Sequence, residues 1–115
     1  MPPLPNAENG NVVLRFAPNP NGPLSFGHAR GVVINAELAR MYDGEVILRF
    51  DDTDAVVKPP DPAAYALIEE DFTWLAGHAP SRIIRASDRM DVYLEYAVKT
   101  LAEKHAYVCK CSGDA

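Results

Sequence analysis

Apolar residues along this chain fall into short runs and helical stripes that alternate with one another. VVLRFA, from Val12 to Ala17, is a compact β-branched and aromatic run and predicts a buried strand. The following Pro18-Asn19-Pro20-Asn21-Gly22-Pro23 continues neither strand nor helix, because proline fixes φ and removes an amide donor. From about Gly27 to Tyr42, apolar residues (Ala29, Val32, Val33, Ile34, Ala36, Leu38, Ala39, Met41) cover most of a helical circumference. That pattern predicts a helix packed on several sides, closed by a turn at Asp43-Gly44. EVILRF (Glu45 to Phe50) predicts a second strand, leading into Asp51-Asp52-Thr53-Asp54 and a proline-containing loop through Pro60.

Asp61-Pro62 marks a helix start, an acid at the N-cap followed by proline at the first helical position. Tyr65, Ile68, Phe72 and Leu75 then form a core-facing stripe, and Trp74 also reads as core rather than as a base-stacking platform. Ile83-Ile84 predicts a third strand. Ser87-Asp88 is the expected cap of a last helix reaching about His105, with Met90, Leu94, Ala97 and Leu101 on one face; Tyr107-Val108 would begin another strand. Residues 1–11 show no apolar period and read as a flexible leader. There is no internal repeat. Strands alternating with helices imply an α/β fold, a parallel sheet covered by helices.

Composition narrows the class. The chain has 115 residues, 48% hydrophobic and 23% charged, which suits one small domain or part of a larger one and argues against wholesale disorder. No apolar run approaches the ~20 residues of a membrane helix, so no membrane partner is expected. The first residues carry neither the basic nor the apolar segment of a signal peptide. Two cysteines one residue apart cannot staple a secreted scaffold, which leaves a cytoplasmic protein as the expectation. A net charge of −5 excludes binding nucleic acid mainly through a global positive field. Arg82, Arg85 and Arg89 form the densest basic patch and read as ordinary surface charge. His78, beside Gly77, reads as a solvated loop residue.

Candidate chemistry concentrates after the first strand. In open parallel sheets ligands sit beyond the carboxyl ends of the strands, and Ala17 to Gly31 occupies that place. Gly22 and Gly27 permit close backbone approach, and the first helical turn offers free N–H groups to a phosphate. His28 lies in that turn. It can bond a phosphate oxygen or be an ordinary histidine near a helix cap. Arg15 can bind an anion or pair with Asp51 or Asp52. The aspartate cluster can be a solvated turn or a weak Mg²⁺ site.

RFAPNPNGPLSFGHARG (Arg15 to Gly31), followed by ILRFDDTD (Ile47 to Asp54), resembles the N-terminal catalytic half of class I glutamyl- and glutaminyl-tRNA synthetases. DPAAYALIEEDFTWL (Asp61 to Leu75), SDRMDVYLEYA (Ser87 to Ala97) and AYVCKC (Ala106 to Cys111) extend the likeness in register. The pairing of RFDDTD with KPPDPAAY is closest to the archaeal glutamyl type, since glutaminyl enzymes usually carry asparagine at the position of Asp54. The resemblance implies a Rossmann-like catalytic domain and ATP-dependent ligation of glutamate to tRNA. Its partners would be ATP with Mg²⁺, L-glutamate and tRNA(Glu). The alternative is a non-catalytic module that binds ATP, the amino acid or a partner synthetase.

Residue roles carry over by position. The family's HIGH tetrapeptide falls on Ser25, Phe26, Gly27 and His28. By similarity Asn19, Pro20, Asn21, Ser25, Phe26, Gly27, His28, Ala29, Arg30 and Gly31 would surround ATP, with His28 and Ser25 acting in catalysis. Arg15, Ala17, Asn19 and Asp51 would surround the amino acid. Arg15 would face the γ-carboxylate and Asp51 the α-ammonium group.

Three departures stand out. Serine replaces the first histidine of the tetrapeptide at Ser25; it is shorter and stays neutral. Alanine stands at Ala55 where relatives often have proline. Nothing matches the lysine-bearing KMSKS-type loop, so the likeness reads as the first half of the catalytic domain, residues 12–108. Residues 109–115 would begin a further acceptor-binding region. Cys109 and Cys111 would supply half of a zinc site there, against a reading as two reduced surface thiols; four ligands are needed and His105 is a doubtful third.

Overall fold

Three short strands, β1 (Val13–Phe16), β2 (Glu45–Phe50) and β3 (Arg82–Arg85), lie side by side in chain order, all parallel, in a computed structural model that describes residues 1–112. Leu14 aligns with Val46 and Phe16 with Leu48; Leu48 in turn aligns with Ile83. Helix α1 (Phe26–Tyr42) connects β1 to β2, and α2 (Pro62–Ala76) connects β2 to β3. A single 3₁₀ turn at Ser87–Arg89 leads into α3 (Met90–Ala102).

Strand periodicity decides where the core sits. Val46, Leu48 and Phe50 are buried while Ile47 and Arg49, between them, are only partly covered. Successive β–α–β crossovers are right-handed, which puts α1 and α2 on the same face of the sheet. Phe16, Val32, Ala39, Val46, Leu48, Phe50, Ala64, Ile68 and Phe72 form one cluster there. The other face carries Val13, Arg15, Ile47 and Arg49, and Val13 is 55% exposed. Among the described residues the expected cover of helices is thus present on one face alone. The solvent side of α1 is likewise less packed than its composition predicts, with Val33, Ile34 and Met41 exposed.

Local chemistry fixes the ends of these elements. Asp61 Oδ1 accepts the Ala63 amide at 2.9 Å and Pro62 opens α2, as expected. Asp43 closes α1 in the left-handed conformation, and Gly44 follows where any Cβ would run into the Val12 carbonyl. The leader is less free than its composition implies. The Leu4 amide donates to the Tyr42 hydroxyl at 2.8 Å, and the Gly10 amide to the Tyr42 carbonyl at 2.7 Å.

Several expectations need correction. Trp74 is 81% exposed. It follows Phe72 by two residues, about 200° around the helix from a side chain that faces the sheet. Ser87 does not cap α3, whose N-cap is Arg89 with no side-chain bond; the Ser87 hydroxyl donates instead to Asp52. Met90, Leu94 and Leu101 keep their helical spacing, yet no residue of α3 is buried. That helix ends at Ala102, short of His105, and Tyr107 and Val108 are exposed and unpaired in any strand. Of the segment 109–115, residues 113–115 lie outside the described residues. No described helix is long and apolar enough to cross a membrane.

Candidate functional site

At the carboxyl end of the sheet, the loops after β1, β2 and β3 are laced together by hydrogen bonds. The Asp51 amide donates to the Pro18 carbonyl at 2.9 Å, and the Asp61 amide to the Pro20 carbonyl at 2.8 Å. Asn19 Nδ2 donates to the Asp51 carbonyl at 3.0 Å and to the Lys58 carbonyl at 3.4 Å. Its Oδ1 is buried and lacks a hydrogen-bond partner, an acceptor facing the loop interior with nothing to receive. Asn19 thereby joins the loop after β1 to the acidic segment after β2. Pro20, beside it, is fully buried.

Asp51 is half-exposed, and Arg49 Nε donates to its Oδ1 at 2.7 Å. Arg15, the alternative partner, makes no ion pair among the described residues and is exposed on the open sheet face. Arg49 is not among the residues that the likeness places at the candidate site. Its signal was present all the same, since residues i and i+2 of a strand share a face and Arg49 and Asp51 are so spaced.

Asp52 is the one buried carboxylate of the described residues, 8% exposed. Its Oδ1 accepts the Ser87 amide, and its Oδ2 accepts the Ser87 and Tyr65 hydroxyls, all at 2.8 Å. Burial pushes its pKa up, but these donors more than offset the burial and hold the carboxyl below the usual aspartate value. Burial, and then the bond to Asp52, raise the Tyr65 hydroxyl. The guanidinium of Arg85 lies over the Tyr65 ring, 4.6 Å from its centroid. Asp54 Oδ1 accepts the Val57 and Val56 amides at 2.9 and 3.0 Å, which lower its pKa. Each aspartate of the cluster is therefore engaged, and no group of three or more metal-ligating residues exists among the described residues.

The first turn of α1 carries the other half of the predicted set. Ser25 is its N-cap, and His28 folds back so that Nδ1 lies 3.0 Å from the Ser25 amide nitrogen and 2.9 Å from the Ser25 hydroxyl. The His28 ring also meets Phe16 edge-on, with centroids 6.5 Å apart. A Cβ on Gly27 would touch only Ser25 Oγ, at 3.7 Å, so the fold itself does not demand glycine there. Gly31 differs: a Cβ would press on the Phe16 ring at 3.3 Å, which gives this glycine a packing role. Phe26 is 97% exposed; Asn21 and Arg30 are exposed; Ala17 and Ala29 are half-buried.

Leu24, Ser25, Phe26 and Ala29 line a cleft of about 430 Å³ with Asp71, Trp74 and Leu75. Arg15, Ala17, Asn19 and Asp51 do not line it. Of the predicted ATP residues, Ser25, Phe26 and Ala29 line it. Cys109 and Cys111 are exposed, with the Cys111 amide 3.5 Å from Cys109 Sγ and lowering that thiol's pKa. Among the described residues no further ligand joins them, so they supply two of the four ligands that a structural zinc ion needs.

Comparison with known proteins agrees with this geometry. Residues 11–115 match the family model for class I tRNA synthetases (E and Q), catalytic domain. The chain is 51% identical over 112 residues to the glutamate–tRNA ligase of Methanosarcina mazei and 53% over 111 residues to that of Thermococcus kodakarensis. These alignments cover 97% and 96% of this chain but 19% of each relative, so the chain spans about one fifth of their length. Among solved structures, a glutamate–tRNA ligase from Elizabethkingia meningosepticum in complex with its amino acid superposes with a TM-score of 0.71 at 32% identity. That match covers 79% of this chain and 19% of the other. With three parallel strands, the helices and the histidine-bearing turn all in the expected order, the chain belongs to the class I glutamyl- and glutaminyl-tRNA synthetase catalytic-domain family.

Proposed function

We propose that this chain forms the first half of the ATP and L-glutamate site of a glutamate–tRNA ligase, with tRNA(Glu) as the acyl acceptor of the longer enzyme. In that reaction a glutamate α-carboxylate oxygen attacks the α-phosphorus of ATP. The bond from that phosphorus to the departing pyrophosphate breaks, leaving glutamyl adenylate. A hydroxyl at the tRNA 3′ end then attacks the acyl carbon, and AMP leaves. Mg²⁺ enters with ATP as part of that substrate. The setting is that of translation in the cytoplasm.

The observation that carries this reading is the link from Asn19 to the Asp51 carbonyl, which ties the loop of the histidine-bearing turn to the acidic segment. On it, residues 12–108 act as the catalytic half-domain. His28 and the free amides of the first turn of α1 meet phosphate oxygens, where positioning and fixed dipoles stabilise developing charge. Bare Gly27 admits the nucleotide against backbone. Phe26, Ala29, Arg30 and Asn21 border it, Pro20 stiffens the loop, and Gly31 seats α1 on Phe16. Asp51 takes the α-ammonium group; Arg15, free of ion pairs among the described residues, takes the γ-carboxylate; Ala17 and Asn19 line the passage between them.

Glutamate-dependent ATP–pyrophosphate exchange tests the reading. Exchange by the longer polypeptide with glutamate and not glutamine supports it, and exchange with glutamine alone overturns the choice of amino acid. Binding of ATP and glutamate with no exchange would establish the non-catalytic module instead.

A further inference from the structure

We propose that Ser25, standing where the family pattern has histidine, is a positioning residue that fixes the tautomer and direction of the His28 ring. The proposal rests on the reading of the α1 turn as a phosphate site, and adds how this chain's own departure from the pattern serves it.

The two residues sit at the N-cap and third positions of α1. Glutamate or glutamine at the third position often reaches back to the N-cap amide. Here the imidazole does so. A backbone N–H only donates, so His28 Nδ1, 3.0 Å from the Ser25 amide nitrogen, must be the unprotonated acceptor. The Ser25 hydroxyl, 2.9 Å from the same nitrogen, adds a second donor to that lone pair. The single proton of the neutral ring therefore resides on Nε2, which has no partner among the described residues. The Phe16 ring meets the imidazole edge-on at 79°. Amide, hydroxyl and aromatic edge together leave one donor, Nε2–H, free for an incoming anionic oxygen. A histidine at position 25 would bring no short hydroxyl to Nδ1. Serine thus acts through the ring three residues on.

The ring nitrogens report this directly. Long-range ¹H–¹⁵N spectra of the labelled full chain, taken where His28 is neutral, should show Nδ1 unprotonated and Nε2 protonated. Ser25→Ala keeps the amide and loses the hydroxyl. It should raise the share of the Nδ1–H form several-fold and weaken ATP binding about tenfold, with both restored by Ser25→Thr. Ser25→Asp keeps a good helix cap but offers an acceptor in place of the hydroxyl donor. It should move the proton onto Nδ1 while the amide spectrum of α1 stays intact. Protonated Nδ1 in the unaltered chain, or ring signals indifferent to Ser25→Ala and Ser25→Asp, would overturn the proposal. So would a loss of ATP affinity in Ser25→Ala with unchanged ring signals, since serine would then act on the nucleotide directly. Absence of any ATP binding by the unaltered chain would instead remove the phosphate-site reading, with the ring spectra still deciding how Ser25 and His28 are related.

Discussion

Arg49 Nε donates to Asp51 Oδ1 at 2.7 Å, two residues apart at the carboxyl end of β2. The carboxylate is 41% exposed, so Oδ2 remains available while Oδ1 is fixed. Such a pair holds an acceptor in one direction without burying it. Arg49→Met should therefore weaken L-glutamate binding about tenfold and narrow its preference over glutarate, which lacks the ammonium group. ATP affinity should change less than twofold by the same reasoning. Calorimetric titration of the three ligands checks this, and equal losses for glutamate and glutarate would remove Arg49 from amino-group recognition.

Asp52 supports stability rather than substrate. Its bonds to Ser87 and Tyr65 join the ends of β2, β3 and α2 around one buried charge. Asp52→Ala leaves three donors facing an apolar gap and should cost about 2–4 kcal/mol in denaturant unfolding. The pH dependence follows from the lowered folded-state pKa. The carboxylate's contribution is complete above the unfolded value, near 3.9, and is lost as pH falls through the lower folded value. The stability gap between the unaltered chain and Asp52→Ala should therefore shrink on acidification below about pH 4. A gap that widens would show the sign to be wrong.

Helix α3 should behave as a weakly attached element. None of its residues is buried, and Leu94 and Tyr96 are 65% and 62% exposed. Its amides should exchange hydrogen far faster than those of β2, whose Val46 and Leu48 are fully covered. Replacing Met90, Leu94 and Leu101 by glutamine should change unfolding free energy by less than about 1 kcal/mol. Sedimentation velocity should show less concentration-dependent association in that variant, because a row of exposed apolar side chains is removed. Protection in α3 equal to that in β2 would contradict the exposed placement.

The pattern of residues made much of this legible. EVILRF marked β2 to the residue, and Asp61-Pro62 marked the start of α2, because both signals are local: alternation in a strand and a cap with a fixed φ. Trp74 and Ser87 lie elsewhere than the pattern predicts, each for its own reason. Periodicity tells which side chains share a face, and says nothing of whether another surface meets that face. Ser87 also had two possible partners, a helix start in sequence and a buried carboxylate in space, and the buried charge had the stronger claim. Motif likeness singles out the histidine-bearing turn and Asp51 as parts of the proposed site. The orphaned Asn19 Oδ1 and the Asp52 node arise only when loops distant in sequence converge.

The two glycines of the α1 turn separate fold from function. At Gly27 a Cβ would meet nothing closer than Ser25 Oγ at 3.7 Å, while at Gly31 it would meet Phe16 at 3.3 Å. Alanine is also the better helix former by about 1 kcal/mol. Gly27→Ala should consequently leave the melting temperature unchanged or raised, yet weaken ATP binding at least about tenfold, because the methyl group fills space reserved for the nucleotide. Gly31→Ala should do the reverse. It should lower stability by about 1–2 kcal/mol as α1 is pushed off the Phe16 ring, with only a modest loss of ATP affinity through the shifted helix. Thermal unfolding and ATP titration of both variants make the comparison. If Gly27→Ala binds ATP as well as the unaltered chain, the nucleotide does not approach the backbone at that turn, and the phosphate-binding role of the adjacent His28 loses its steric support.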